Sequence, residues 1–279
     1  MRNAFARAVT ELAQSRDDVV LLAGDIGNRL FDGFKENYPD RFFNCGVAEA
    51  GMTGIAAGLA ATGLLPITYT ITPFNTVRCL EQIRLDICYP NYPAIIVGTG
   101  AGLSYASLGA THHSVEDIAL MRMLPNMHIV CPGDPLEVEL ALKAAADLKR
   151  PVYLRLGKKG EPTIHQKDPS FEIGKGIVLR NGKKVALLSV GNMLGVSFEV
   201  AELLEKSGIS PMLASLHTVK PLDELLLEKV FANFDRVVVI EEHSRSGGAG
   251  SAILEWAHSR KIAVSQLINV GLPDQFFSA

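Results

Sequence analysis

The feature that most constrains this chain is a rhythm in which short, unbroken apolar runs alternate with helix-length segments. Val19-Val20-Leu21-Leu22-Ala23 before Gly24-Asp25, Leu65-Pro66-Ile67-Thr68-Tyr69-Thr70-Ile71 and Ala94-Ile95-Ile96-Val97-Gly98-Thr99 each read as a strand. So do His128-Ile129-Val130-Cys131-Pro132 and Pro151-Val152-Tyr153-Leu154-Arg155-Leu156. Runs without polar alternation are characteristic of strands covered on both faces. Between them, residues 4–14, Val47 to Gly63 and Thr76 to Cys88 read as helices, the last with an imperfect apolar period. Ser114-Val115-Glu116-Asp117 offers a plausible N-cap before a helix from Ile118 to Leu124. Asp134-Pro135 opens another helix, with Pro at its first position, that runs to about Lys149. This βαβ series predicts an α/β fold built on a doubly wound parallel sheet. Gly157 to Phe171 is polar, with Lys158, Lys159, Gly160, Pro162 and Pro169, and reads as a linker. The rhythm then restarts through Val185 to Gly191, Pro211 to Val219, Arg236 to Ile240 and Val264 to Val270, which predicts a second, smaller α/β domain. The expected division is residues 1–157, a linker over 158–172, and residues 173–279.

Charge and composition remove several classes of function. The 279 residues carry a net charge of −3 with both signs spread along the chain, and no basic stripe suggests nucleic acid. No apolar run approaches the ~18 residues of a membrane span, and Met1-Arg2-Asn3-Ala4-Phe5 does not open an apolar signal segment. Cys45, Cys79, Cys88 and Cys131 are scattered, without a C-x-x-C, and lie in or beside apolar segments. They read as reduced, buried thiols in a cytoplasmic protein, and no metal site is expected from them.

The residues that carry chemistry lie at strand ends and in loops. Glu49, within Phe42-Phe43-Asn44-Cys45-Gly46-Val47-Ala48-Glu49, sits where a loop turns into a helix rich in Ala and Gly; a helix this apolar is expected to be buried on most sides. The carboxylate is either a helix cap or a catalyst. Asp25 ends a strand, where an open parallel sheet presents ligand groups, and is also a suitable turn cap. His112 and His113 are loop histidines; Phe74 is a core residue or an aromatic platform. Arg155 is a strand-end ion-pair partner or a ligand for anions, and Lys158 a linker charge or the same. Glu241, Glu242 and His243 read as ordinary loop charge. A dinucleotide motif fails, because counting G-x-G-x-x-G from Gly98 puts Leu103 at the last position, and no G-x-x-x-x-G-K-[ST] loop is present.

Taken together these stretches resemble the C-terminal half of transketolase, which in split enzymes is the small subunit. The likeness covers essentially the whole chain: F-F-N-C-G-V-A-E around Glu49, G-A-T-H-H-S-V-E-D-I-A-L-M-R-M-L-P-N-M from Gly109 to Met127, R-P-V-Y-L-R-L-G-K, and E-E-H-S-R-S-G-G-A-G-S-A-I in the second domain. The resemblance implies a thiamine-diphosphate pyrimidine-binding domain followed by the transketolase C-terminal domain. It implies transfer of a two-carbon ketol unit from a ketose to an aldehyde, with thiamine diphosphate as cofactor. The glutamate matched by Glu49 bonds N1′ of the aminopyrimidine, the aromatic matched by Phe74 stacks on that ring, and Asp25 falls at a position close to the cofactor. His112 matches a histidine that bonds substrate hydroxyls and helps proton transfer. Lys158 aligns with a residue that binds substrate phosphate, with Arg155 beside it. Family members bind the diphosphate through Mg²⁺ on a separate domain with a G-D-G motif that is absent here. A partner polypeptide is therefore implied, the two assembling as a heterotetramer with self-association through the same domains.

Departures from the family pattern bear on the substrate. Gly100 stands where a histidine is usual, Ala106-Ser107-Leu108 replaces G-E-D before G-A-T-H, Ile71 replaces an aromatic and Ala50 a glutamine. A pocket without that acid and imidazole loses bonds to a phosphorylated sugar, and a non-standard acceptor, a modified sugar or a sugar-nucleotide, is expected. Relatives continue with a helical tail, so the end at Phe276-Phe277-Ser278-Ala279 is expected to be trimmed. Two other readings stand beside this one: a decarboxylating subunit, like the β chain of a 2-oxo acid dehydrogenase E1 or a 1-deoxyxylulose-5-phosphate synthase, and a non-catalytic partner subunit that kept the fold.

Overall fold

The computed structural model describes residues 1–27, 29–167 and 169–278. Its strands are β1 (Val19–Ala23), β2 (Phe42–Asn44), β3 (Leu65–Ile71), β4 (Ile95–Thr99), β5 (His128–Val130), β6 (Val152–Leu156), β7 (Ile177–Arg180), β8 (Lys184–Ser189), β9 (Met212–Ser215), β10 (Thr218–Lys220), β11 (Phe234–Ser244) and β12 (Leu267–Leu272). They form a seven-stranded sheet in the order β10-β5-β6-β4-β3-β1-β2 and a five-stranded sheet in the order β12-β11-β8-β9-β7. Every residue of β1, β3, β4 and β6 is buried, as unbroken apolar runs require of strands with helices on both faces.

Both sheets are mixed at one edge. β10 pairs antiparallel with β5, and β7 antiparallel with β9, while the other pairings are parallel. The run read as one strand from Pro211 to Val219 is two. Its first half stays in the second sheet, and its second half crosses to close the edge of the first. Buried His217 marks the crossing, where Cys131 N–H donates to the His217 carbonyl at 2.6 Å. One apolar cluster follows the same path, joining Ile96, Ile129 and Tyr153 to Leu188, Leu216, Phe231 and Trp256.

No helix or strand lies between Leu156 and Ile177 among the described residues. The segment is nonetheless pinned. Asp134 caps the helix Pro135–Leu148 through Glu137 N–H (2.8 Å), and its other oxygen accepts from Ile164 and His165 N–H at 2.9 and 3.0 Å. Buried Glu137 meets His165 Nε2 at 2.7 Å.

Two local expectations change and one is narrowed. Within Ser114-Val115-Glu116-Asp117 it is Glu116 that stands at the N-cap of the helix Asp117–Arg122, without a side-chain bond, while Ser114 bridges to Gly102. The segment Thr76 to Cys88 is a 3₁₀ turn, a short α turn and a π-helical stretch Ile83–Cys88, and the wider π turn explains why the apolar period is imperfect. Glu241, Glu242 and His243 belong to β11 rather than a loop. Glu241 is buried and accepts from Ala249 and Gly250 N–H (2.7 and 3.0 Å), which caps the helix Ala249–Ser259.

Candidate active site

The parallel strands β6, β4, β3, β1 and β2 lie side by side, so the loops that leave their C-terminal ends line one edge of the sheet. From β6 comes Gly157-Lys158; from β4, Gly100 to His112; from β3, Phe74 and Arg78; from β1, Gly24-Asp25; from β2, Glu49. Strand order therefore dictates which side chains meet, and the contacts follow it.

Glu49 is the first residue of the helix Glu49–Ala61 and is 2% exposed. It does not cap that helix with its side chain. Its Oε2 accepts from Arg78 Nη1 at 2.6 Å. The Arg78 guanidinium in turn lies over the Phe74 ring, 4.2 Å from its centroid. Phe74 meets His112 edge to face at 5.2 Å, His112 lies 6.0 Å from Tyr105, and Lys158 Nζ sits over the Tyr105 ring at 4.1 Å. Glu49, Arg78, Phe74, His112, Tyr105 and Lys158 thus form one continuous line. Gly24 lets β1 close onto it: a Cβ there would stand 3.1 Å from Glu49 Cγ and 3.2 Å from Thr70 Cβ. Asp25, the next residue, is exposed at the rim in a left-handed conformation (φ 52°) and accepts from Asn44 at 3.2 Å. Cys79 lies behind Phe74, and burial raises its thiol pKa, with a further push from the Glu49 charge.

The two histidines differ. His113 is buried, with Nε2 on the Ala106 carbonyl at 3.2 Å. His112 is half-buried, its Nδ1 on the Thr111 hydroxyl at 2.9 Å, with its ring among the aromatics of the line.

Arg155 stands apart. Both it and Asp117 have side chains 1% exposed, and they pair at 2.7 Å. Arg155 also donates to the Ser114 and Glu242 carbonyls at 3.1 and 3.0 Å, and Asp117 accepts from the Tyr153 hydroxyl. Burial alone would push the Asp117 carboxyl up, but the charges of Arg155 and His243 and the hydrogen bonds from Arg155 and Tyr153 hold it below the ordinary carboxylate range. In this geometry Arg155 is one half of a buried strand-end ion pair. It ties the first sheet to β11 and makes no contact with the line of site residues.

Two features escape a reading of motifs. Arg78 lies in a segment read only for its apolar period. Tyr105 lies in a loop read only for what it lacks; a Cβ on Gly100 (φ 83°) would overlap the Tyr105 ring, so that ring occupies the space beside Gly100. Burial raises the Tyr105 phenol, and the nearby Arg2 charge partly offsets this. Arg2 also lines an open groove of about 730 Å³ with Arg7, Glu11, Arg29, Gly27 and Gly33, in which Arg7 is paired with Glu139. Among the described residues no group of three or more His, Cys, Asp or Glu side chains is placed to hold a metal ion, and no helix is long and apolar enough to cross a membrane.

The outer side of the helix Glu49–Ala61 also departs from expectation. Gly51, Gly54, Ile55 and Gly58 are exposed, with Val47 (76%) before it and Val77, Leu85 and Tyr89 exposed on the following segment. The helix is apolar all round yet covered only on its Met52, Ala56 and Ala60 side.

Comparison with known proteins accounts for this arrangement. Residues 1–162 match the pyrimidine-binding domain of transketolase and residues 174–275 the transketolase C-terminal domain. The chain is 32% identical over 276 residues to one of the subunits of the apulose-4-phosphate transketolase of Phocaeicola vulgatus, covering 98% of this chain and 88% of that one. It is 36% identical to 1-deoxy-D-xylulose-5-phosphate synthase of Caldanaerobacter subterraneus over 98% of its own length, but only 44% of that protein's. A solved split-gene transketolase, an inactive β4 tetramer, superposes with a TM-score of 0.90 at 37% identity over 100% of this chain and 90% of that one. The chain belongs to the transketolase family and corresponds to the small subunit of its split members.

Proposed function

We propose that this chain is the small subunit of a thiamine-diphosphate-dependent transketolase, moving a two-carbon ketol unit from a ketose to an aldehyde only when joined to a second polypeptide. The observation that carries this reading is Glu49: a buried carboxylate at a helix start, linked through a planar group to the face of Phe74. These residues fit the pyrimidine end of the cofactor. Glu49 would share a proton with N1′ at the ring edge, Phe74 would offer a stacking face, and Gly24 leaves room for the carboxylate. When bound, the cofactor supplies the nucleophilic carbon and the electron sink that a protein side chain lacks. The chain's own part is to orient the ring through Glu49 and Phe74 and to exchange protons with substrate hydroxyls at His112.

The diphosphate end, with its Mg²⁺ ligands, is assigned to a second chain because the G-D-G motif is absent from this sequence. That end belongs to the partner, and the exposed apolar side of the helix Glu49–Ala61 is suited to receive it. Two copies of each chain would give a heterotetramer. Lys158 over Tyr105, with the Arg2 charge near the same ring, suits a substrate with an anionic end. The Phocaeicola relative is named for a phosphorylated sugar, which agrees with that polarity. Asp25 is read as a rim group near the cofactor, and Gly100 and Leu108, with Tyr105 between them, as the site of adaptation to an unusual sugar. Residues 1–157 and 173–279 are taken as the two domains, and the cytoplasm as the compartment that keeps the free thiols reduced.

The test is ketol transfer by the co-purified pair with thiamine diphosphate and Mg²⁺, scored against a panel of phosphorylated ketoses and aldehydes. Cofactor-dependent turnover by the pair, and none by either chain alone, is expected. Turnover of pyruvate with CO₂ release, and no ketol transfer, would support the decarboxylating reading that the synthase relative keeps open.

A further inference from the structure

Arg78 makes the two contacts that the proposed cofactor ring also needs. Its guanidinium is planar, donates to Glu49 Oε2 at 2.6 Å and lies over Phe74 at 4.2 Å. The face of Phe74 that Arg78 covers is therefore the face reached by a planar group bonded to Glu49. An aminopyrimidine bonded to Glu49 and stacked on Phe74 needs the same volume and the same acceptor. The side chain of Arg78 is 43% exposed while that of Glu49 is 2% exposed, so the arginine reaches in from the surface and can withdraw, whereas the carboxylate is fixed. Arginine suits this substitution: its planar guanidinium lies flat on an aromatic face while it donates in its own plane, a combination the compact ammonium of lysine lacks.

We propose that Arg78 is a placeholder for the aminopyrimidine, a positioning residue that competes with the cofactor for Glu49 and Phe74. This rests on the thiamine-diphosphate reading above. Two consequences follow. Arg78 compensates the buried Glu49 charge before the cofactor arrives, when that carboxylate would otherwise stand unpaired in an apolar setting. Cofactor binding must break the Glu49–Arg78 pair, so the measured affinity is weaker than the ring's own contacts would give. The arrangement keeps the carboxylate correctly placed while making loading conditional on the partner's grip on the diphosphate.

The experiment measures thiamine diphosphate binding, in excess Mg²⁺, to the co-purified pair by calorimetry, for wild type, Arg78→Met and Arg78→Lys. Methionine keeps the stem and removes the charge and the plane. Arg78→Met is expected to lower the Kd about tenfold, about 1.4 kcal/mol, and to lower the melting temperature of the cofactor-free pair. Arg78→Lys is expected to fall between the two, and it serves where the methionine variant does not assemble. A variant Kd equal to or weaker than wild type overturns the placeholder role, because a structural or cofactor-binding arginine would weaken binding when removed. Failure of the wild-type pair to bind thiamine diphosphate at all would instead overturn the function on which the inference rests.

Discussion

Replacing Arg155 by Met tests the assignment of that residue as a tie between the two sheets. The guanidinium contacts Asp117 twice, at 2.7 and 3.2 Å, and donates to the Ser114 and Glu242 carbonyls. Methionine fills much of the volume but leaves the Asp117 charge buried, with the Tyr153 hydroxyl as its remaining close donor. Removing one member of a buried pair costs about 3–5 kcal/mol. For a chain of this size that corresponds to a fall in Tm of roughly 6–20 °C. The double variant Arg155→Met, Asp117→Leu removes both charges and should regain part of the loss. Regain is incomplete because the Ser114 and Glu242 carbonyls and the Tyr153 hydroxyl lose partners, each worth about 1 kcal/mol. The assay is thermal or urea unfolding of the four members of the cycle, beside KM of the assembled enzyme. The pair also sets an acid limit. Because the Asp117 pKa is held below its ordinary value of 3.8, its stabilisation is fully present above that pH and is lost as pH falls through the lower folded-state value. A single variant with unchanged Tm and a raised KM would refute the tie and restore Arg155 as a substrate ligand.

The remaining predictions concern the linker and the site. Burial tends to lower the His165 pKa, but the hydrogen bond and charge of Glu137, with Asp134 beyond, raise it above 6.5 overall. The stabilisation from this contact should therefore be fully present below pH 6.5 and be lost as pH rises through the folded-state value; His165→Ala should flatten that slope in a pH series of urea unfolding curves. Gly24→Ala forces Glu49 or Thr70 aside by a few tenths of an ångström; kcat should fall about tenfold with a stability loss of no more than about 1–3 kcal/mol, read by steady-state kinetics and circular dichroism. Gly100→His, which restores the residue usual in the family, collides with Tyr105 and should destabilise by about 1–3 kcal/mol; adding Tyr105→Ala should recover part of this in the same unfolding assay, a coupling expected of residues in contact.

Much of this was legible in the sequence because the physical signals are local. Unbroken apolar runs announced the buried strands, Asp134-Pro135 announced a capped helix, and strand ends marked where Glu49, Phe74, His112 and Lys158 would line up, with Asp25 at the rim. What was illegible depends on long-range geometry. The crossing of Thr218–Lys220 to the first sheet is marked only by Ser215, His217 and Thr218 in a run that otherwise reads as one strand. Arg155 carries no sign of whether its partner is a substrate or Asp117, which is far away in the sequence. The bare outer side of the helix Glu49–Ala61 looks from composition like a buried helix, because composition does not say which sides of an apolar helix the chain itself covers. Arg78 was hidden because a π-helical stretch follows it and blurs the periodicity that would have set its face apart. The Glu241-Glu242-His243 run looked like solvated charge because a strand that passes under a helix start needs polar side chains at that point.

The central claim is that Glu49 does its work on a cofactor held between two chains. The most direct measurement is kcat of the co-purified pair carrying Glu49→Gln, under saturating thiamine diphosphate and Mg²⁺, with assembly checked by size-exclusion chromatography and light scattering. Glutamine keeps the shape and a hydrogen-bonding carbonyl at the 2.6 Å contact with Arg78 but removes the charge. A fall in kcat of at least about a hundredfold, in a pair that still assembles, is the result expected. A variant that assembles and turns over like wild type would contradict the claim and return Glu49 to a structural role.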